Sequence, residues 1–279
     1  MFESARTWAG TPVGRAVLII FVVALGLRVL TVAVVRPDPR DGRFDDSVWF
    51  DSTARHLAAG DGYVFDPTVW HGPDGQPLFP GETKLSPTAL WPPGYPFALA
   101  TVYRWTGNSI TAGQLLNALC GAATAVLVFA IARKLFGQAE GVAAGGLMAL
   151  FPGSIYFTPL IMSETMFVFM LAATLAFFLY FVLDQQEPHL DAIAASGLLA
   201  GLTAMMHFEF IAFPAVMLVL LGCHLGARRM AMPAAAFIAG AALLFVPWTI
   251  RNRITLGETI VSTTQVGRLA VQGHDARSE

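Results

Sequence analysis

Seven apolar stretches, at about 16–35, 112–132, 141–160, 164–183, 192–206, 208–223 and 230–250, limit what this chain can fold into. A hydrocarbon core roughly 30 Å thick needs about 20 apolar residues of helix to cross it, and most of these stretches approach that length. Composition agrees, with 55% hydrophobic residues, only 13% charged ones and a mean hydropathy of +0.60. The fold class that follows is an all-α polytopic membrane protein, read as a single transmembrane domain over 1–279, with the lipid bilayer as its surroundings. A net charge of -2 leaves no broad basic surface, which excludes nucleic acid as a partner.

Arg6 and Arg15 precede the first stretch as they would in a signal peptide. The apolar run continues to Val35 without a small-residue cleavage site, so it reads as an uncleaved first helix. Cys120 and Cys223 fall in apolar stretches with no ligand-like spacing and read as packing residues.

Lys and Arg in short loops favour the cytoplasm, and Arg133-Lys134 and Arg228-Arg229 lie in such loops. Placing both pairs and the N-terminus inside predicts about seven transmembrane helices. Residues 192–223 then form two spans that turn at His207 and Glu209 on the outer side, and 230–250 delivers Arg251 outward. The acidic loop 184–191 falls inside, against the trend of the positive charges. Residues 92–106 begin with Pro92-Pro93 and continue through Phe97, Leu99, Val102, Tyr103 and Trp105, the pattern of a short amphipathic helix lying in the outer interface.

A polar insertion between Arg36 and Leu90 holds nine of the 19 acidic residues. It forms most of a first extracytoplasmic loop, 36–110, and 251–279 opens a second. Within the insertion, Asp45-Asp46 precede a short helical pattern through Trp49, Phe50, Ala54 and Leu57 that stops at Gly60. A carboxylate there can serve as a general base, or the pair can be solvated loop charge. Glu164, at the head of an apolar span, is either a site carboxylate or a helix cap beside Ser163. His207 and Glu209 either satisfy each other or offer His207 as a cation to an anionic ligand. Arg28, inside the first helix, calls for a salt-bridge partner in the bundle or, alternatively, a contact with a ligand. Trp49, Trp91 and Tyr95 offer faces for a sugar ring or act as interfacial anchors.

The runs DDSVWFDSTARHLAAGDGYVF, WPPGYPFALATVYRWTG, RKLFG, LIMSETMF, GLTAMMHFEFIAFP and PWTIRNRITLGETIVSTTQVG, in this order, resemble the N-terminal half of bacterial GT-C glycosyltransferases. These are the enzymes of the protein O-mannosyltransferase and lipid A aminoarabinose transferase superfamily. The resemblance implies a multispanning enzyme of the bacterial plasma membrane, N-terminus cytoplasmic. It would pass a sugar from a polyprenyl phosphate to an extracytoplasmic protein, glycolipid or cell-wall glycan.

The resemblance puts the catalytic base at Asp46, preceded by Asp45, and a further site acid at Glu164. It assigns Arg251 to the donor phosphate, with His207 where relatives carry Arg or Lys, and Lys84 as a substitute cation. Trp49, Trp91, Tyr95 and Glu209 would contact sugar or acceptor. Some relatives hold a divalent metal or the donor phosphate through an acid and a lysine before the two prolines. Leu90 and Trp91 stand there, so no metal is carried over. Relatives also continue past the second outer loop, so the chain reads as a front half or as a shortened paralogue. Two other functions compete: an inactive donor-binding or assembly subunit, and a transporter, for which no internal repeat is seen.

Overall fold

The computed structural model describes residues 10–40, 46–72 and 74–265. Among the described residues, four helices are long and apolar enough to cross a membrane. The first, α1 (Pro12–Val35), starts at Thr11, whose hydroxyl accepts from the Gly14 amide at 3.0 Å. Between it and the second span lie α2 (Asp46–Ala59), a small antiparallel hairpin of β1 (Val64–Phe65) and β2 (Ser86–Pro87), and α3 (Gly94–Thr106). The second span, α4 (Ile110–Phe136), is capped by Ser109 and is followed by α5 (Gln138–Leu150) and α6 (Pro152–Phe157). The third, α7 (Glu164–Phe178), continues as a π-helical turn over Leu179–Leu183. After α8 (Leu190–Ala204) and α9 (Phe213–Leu225) comes the last span, α10 (Ala231–Leu256).

The stretch at 141–160 is not one helix. Pro152 has no amide hydrogen to continue the ladder, so α5 ends and a single short helix, α6, starts again at the proline. The break leaves the last carbonyls of α5 without helical donors. Arg28 supplies two of them: Nη1 donates to Ala149 O at 3.1 Å and Nη2 to Met148 O at 3.4 Å, with Ser154 Oγ accepting at 2.8 Å. The expected salt bridge of Arg28 is therefore replaced by a set of neutral acceptors. Gly121 of α4 makes room for it, since a Cβ there would lie 2.4 Å from Arg28 Nε. Close approach recurs between α8 and α10, where a Cβ at Gly197 would lie 2.0 Å from Phe237 O.

The two ends of the bundle differ. At one end Lys134 pairs with Asp184 at 2.5 Å, Tyr180 donates to Ala130 O at 2.8 Å, and His224 bonds Gln185 O at 2.9 Å. Asp184 thus sits beside the basic end of α4 as its partner, which accounts for an acid on that side. The opposite end carries α2, the hairpin and α3 over the head of α7 and the tails of α8 and α10. Trp49, Tyr63, Tyr95, Met166, Met206 and Trp248 share one apolar core there. The helix expected at 92–106 is α3, with Tyr95, Leu99 and Tyr103 buried at helical spacing and Phe97 and Trp105 turned outward.

Candidate functional site

The site is organised by α2. Asp46 is its first residue and half-buried, where the helix dipole favours a negative charge, and Gly60, at φ 96°, ends the helix. Asp45 lies outside the described residues. By helical spacing Asp46, Phe50, Thr53 and Leu57 share one stripe of α2, while Val48, Asp51 and Arg55 share the opposite one.

A second acid of this helix, which the sequence reading passed over, is fully committed. Asp51 is 1% exposed and accepts from Arg40 Nε at 3.0 Å, Arg55 Nε at 2.8 Å and the Tyr103 hydroxyl at 2.6 Å. Burial and the Asp51 charge push the Tyr103 hydroxyl far above its ordinary range. Burial opposes the charged form of Arg40, yet the hydrogen bond and charge of Asp51 raise its pKa overall. The Arg four residues after Asp51 was the signal available in the sequence.

The aromatic residues expected to meet a sugar stand differently. Trp49 is 1% exposed and Tyr95 is fully buried, Trp49 against Tyr63 and Trp91, and Tyr95 against Phe50 at 5.2 Å. Trp91 is half-buried in the same cluster. Trp49 and Tyr95 are core residues rather than sugar platforms or interfacial anchors, because each ring is enclosed by other rings. The Tyr63 hydroxyl donates to Trp91 O at 2.9 Å, and burial raises its pKa well above the ordinary phenol value, against the pull of Arg251.

Beside this cluster lies a groove of about 720 Å³ between α3, α8 and α10, walled by Leu57, Phe97, Met205, Leu244 and Trp248 and bounded by Arg251. Arg251 does not open a loop: α10 continues through it to Leu256, so its guanidinium is held by a helix. It donates to Tyr63 O and Thr88 O, each at 2.6 Å, and to Asn252 Oδ1 at 3.0 Å, and lies 5.1 Å from the Trp248 ring centre. All of these acceptors are neutral. The positive charge at the mouth of an apolar groove is therefore not cancelled by a carboxylate among the described residues. A ring path from Trp248 through Tyr63 to Trp49 joins Arg251 to the first half of α2.

The remaining candidates are dispersed. His207 is ion-paired with the exposed Glu209 and lies 5.1 Å, ring to ring, from Phe167. Glu164 lines a separate apolar cavity of about 530 Å³ with Phe151, Phe157 and Val168. Ser163 makes no side-chain capping bond, whereas Glu164 stands in the first turn of α7 with Oε2 buried without a hydrogen-bond partner, so of the cap alternative only the acid at the helix head is present. Lys84 is exposed in the hairpin loop, with no hydrogen bond or ion pair among the described residues. Leu90 and Trp91 offer only carbonyls, which accept from Thr263 and Tyr63, so the residues before Pro92 do not suit a metal.

An α-helical membrane bundle with an apolar groove bounded by a fixed cation is the class of structure these features define. The chain belongs to the dolichyl-phosphate-mannose-protein mannosyltransferase family, whose model matches residues 91–250, more than half of its 279 residues. Membership makes it a multi-pass, mannosyltransferase-like membrane glycosyltransferase of the kind that uses a polyprenyl-phosphate-sugar donor. Asp46 and Arg251 both fall outside the matched segment. A comparison with curated proteins finds no match.

Proposed function

We propose that this chain transfers a sugar from a polyprenyl phosphate to an acceptor on the extracytoplasmic side of a bacterial plasma membrane, with Asp46 as the general base. The prenyl chain lies in the groove between α3, α8 and α10, and Arg251 faces the donor phosphate. The uncancelled charge of Arg251 at the head of that groove carries this reading. As the bond from sugar to phosphate breaks, negative charge grows on the phosphate oxygens, and a cation already held in place by three acceptors stabilises it without reorganising. Asp46, on the same stripe of α2 as the groove residue Leu57, takes the proton from the acceptor hydroxyl as that oxygen attacks the sugar. Along the helix axis Leu57 and Asp46 are about 16 Å apart.

The test is transfer from a radiolabelled polyprenyl-phosphate sugar in membranes that hold equal amounts of native and Asp46→Asn protein. Transfer should fall by about 100-fold or more while donor binding persists. Undiminished turnover in Asp46→Asn would remove Asp46 from the mechanism. Donor binding without transfer in the native protein would favour an assembly subunit.

A further inference from the structure

Where α1 ends and α4 begins, the two spanning helices border a cavity of about 580 Å³, walled by Val29, Val32, Arg36, Thr111, Gln114 and Leu115. Val29 and Val32 are three residues apart on α1, and Thr111, Gln114 and Leu115 are three and four apart on α4, so each helix turns one stripe to the cavity. Val29, Val32 and Leu115 lie toward the middle of the spans, and Arg36 stands about 10 Å beyond Val29, at the end of α1. Apart from Pro37 and Ile110 the mouth is polar, with Arg36, Asp38 and Thr111. A cavity apolar at depth and charged at its mouth, set along two membrane-spanning helices, has the polarity of a lipid.

The mouth is fixed by bonds of its own. Gln114, 2% exposed, donates from Nε2 to Pro37 O and Pro159 O, each at 2.9 Å, which holds the loop after α1 against α4. Arg36, at φ 42°, donates from Nε to Ala33 O at 2.8 Å, so its side chain folds over the helix end, and Nη1 and Nη2 bond no group among the described residues. Asp38 takes the Arg40 amide on Oδ1 at 2.8 Å, and its Oδ2 accepts from no group among them. The Arg40 guanidinium feels the Asp38 charge but bonds Asp51 and Asn108 O.

We infer that this cavity seats a phosphatidylethanolamine, with its phosphate on Arg36, its ammonium toward Asp38 and an acyl chain along Val29, Val32 and Leu115. The inference stands apart from the transferase reading. A guanidinium with two unused nitrogens matches the paired oxygens of a phosphate, and a primary ammonium donates to a carboxylate, which an uncharged glycerol head does not neutralise. Because the head is zwitterionic, the seat needs one cation and one acid and no surplus of either.

The full chain in detergent is titrated with dioctanoyl lipids, and its complexes are followed by native mass spectrometry. Phosphatidylethanolamine should bind about tenfold or more tightly than diacylglycerol, which lacks the phosphate, and Arg36→Gln should remove that advantage. Phosphatidylglycerol should bind the native protein more weakly than phosphatidylethanolamine. Asp38→Asn keeps an oxygen for the Arg40 amide but loses the charge, and should bring the two phospholipids level. This change of selectivity carries the test by itself if Arg36→Gln is not recovered folded. Equal binding of diacylglycerol by the native protein, or an unchanged preference in Asp38→Asn, would overturn the inference. Competition with a short-chain polyprenyl phosphate separates this seat from that of a sugar donor. Retention of the Arg36-dependent complex supports a separate phospholipid seat. Its displacement would make the cavity a seat for polyprenyl phosphate and end the inference, while leaving donor use intact.

Discussion

The Tyr103 hydroxyl donates to Asp51 Oδ1 at 2.6 Å, and this bond ties α2 to α3 beside the apolar core they share. Tyr103→Phe removes a donor to a buried carboxylate and should cost about 1.5–3 kcal/mol. Asp51→Ala removes the same bond together with those of the partly exposed Arg40 and Arg55 and should cost at least as much. Thermal unfolding in nanodiscs reads both, and an Asp51→Ala protein that melts like the native one would remove Asp51 from the architecture.

Arg251 carries two duties that substitution can separate. Arg251→Lys keeps the charge but cannot bridge Tyr63 O and Thr88 O together, so it should retain part of the donor affinity. Arg251→Met loses both, and polyprenyl phosphate should bind about tenfold or more weakly, with a smaller dependence on salt. Equal binding by the Met and Lys variants would show that the charge does not meet the phosphate.

Asp66 sets an acid limit on the loop. Burial alone would raise its pKa, but the hydroxyl and amide of Thr68, with His56, hold it below the usual aspartate value. A carboxyl whose pKa is lower folded than unfolded adds stability above the unfolded value, near pH 4, and that contribution disappears as pH falls through the folded value. Melting temperature should therefore drop on acidification below about pH 4, and less steeply in Asp66→Asn. Parallel acid profiles for the two proteins would contradict this.

The Arg28 socket leaves no slack. Gly121→Ala puts a methyl group 2.4 Å from Arg28 Nε, where the guanidinium is also held by Ala149 O and Ser154 Oγ, and should destabilise by about 1–3 kcal/mol. Arg28→Met in the same background should relieve the clash, so the two changes should not add. Strictly additive losses in a denaturation series would show that Gly121 and Arg28 act independently.

Much of this protein was legible along the chain because lipid imposes a simple rule: backbone groups must pair within helices, so long apolar stretches announce themselves. The same logic of periodicity placed α3 and the helical start at Asp46, and the charges of Lys134 and Arg251 were sorted to opposite ends. Side-chain partners were not legible. Arg28 invited an acid, yet it bonds the carbonyls that Pro152 orphans 120 residues away in the chain. Trp49 and Tyr95 carry the chemistry of sugar platforms, but enclosure by Phe50, Tyr63 and Trp91 makes them core. Asp51 reads as one more loop acid until Arg40 and Tyr103 close on it.

What the sequence determined by itself is the solvent: a hydrophobic content and periodicity that only a bilayer accepts, with one polar insertion to meet the water. The tertiary structure alone decided which charges remain available for chemistry. Arg251 stays positive because its partners are neutral carbonyls, whereas Asp51 is consumed by two guanidinium groups and a phenol. Neutralisation depends on distances of about 3 Å between residues far apart in sequence, and those distances exist only once the helices have packed.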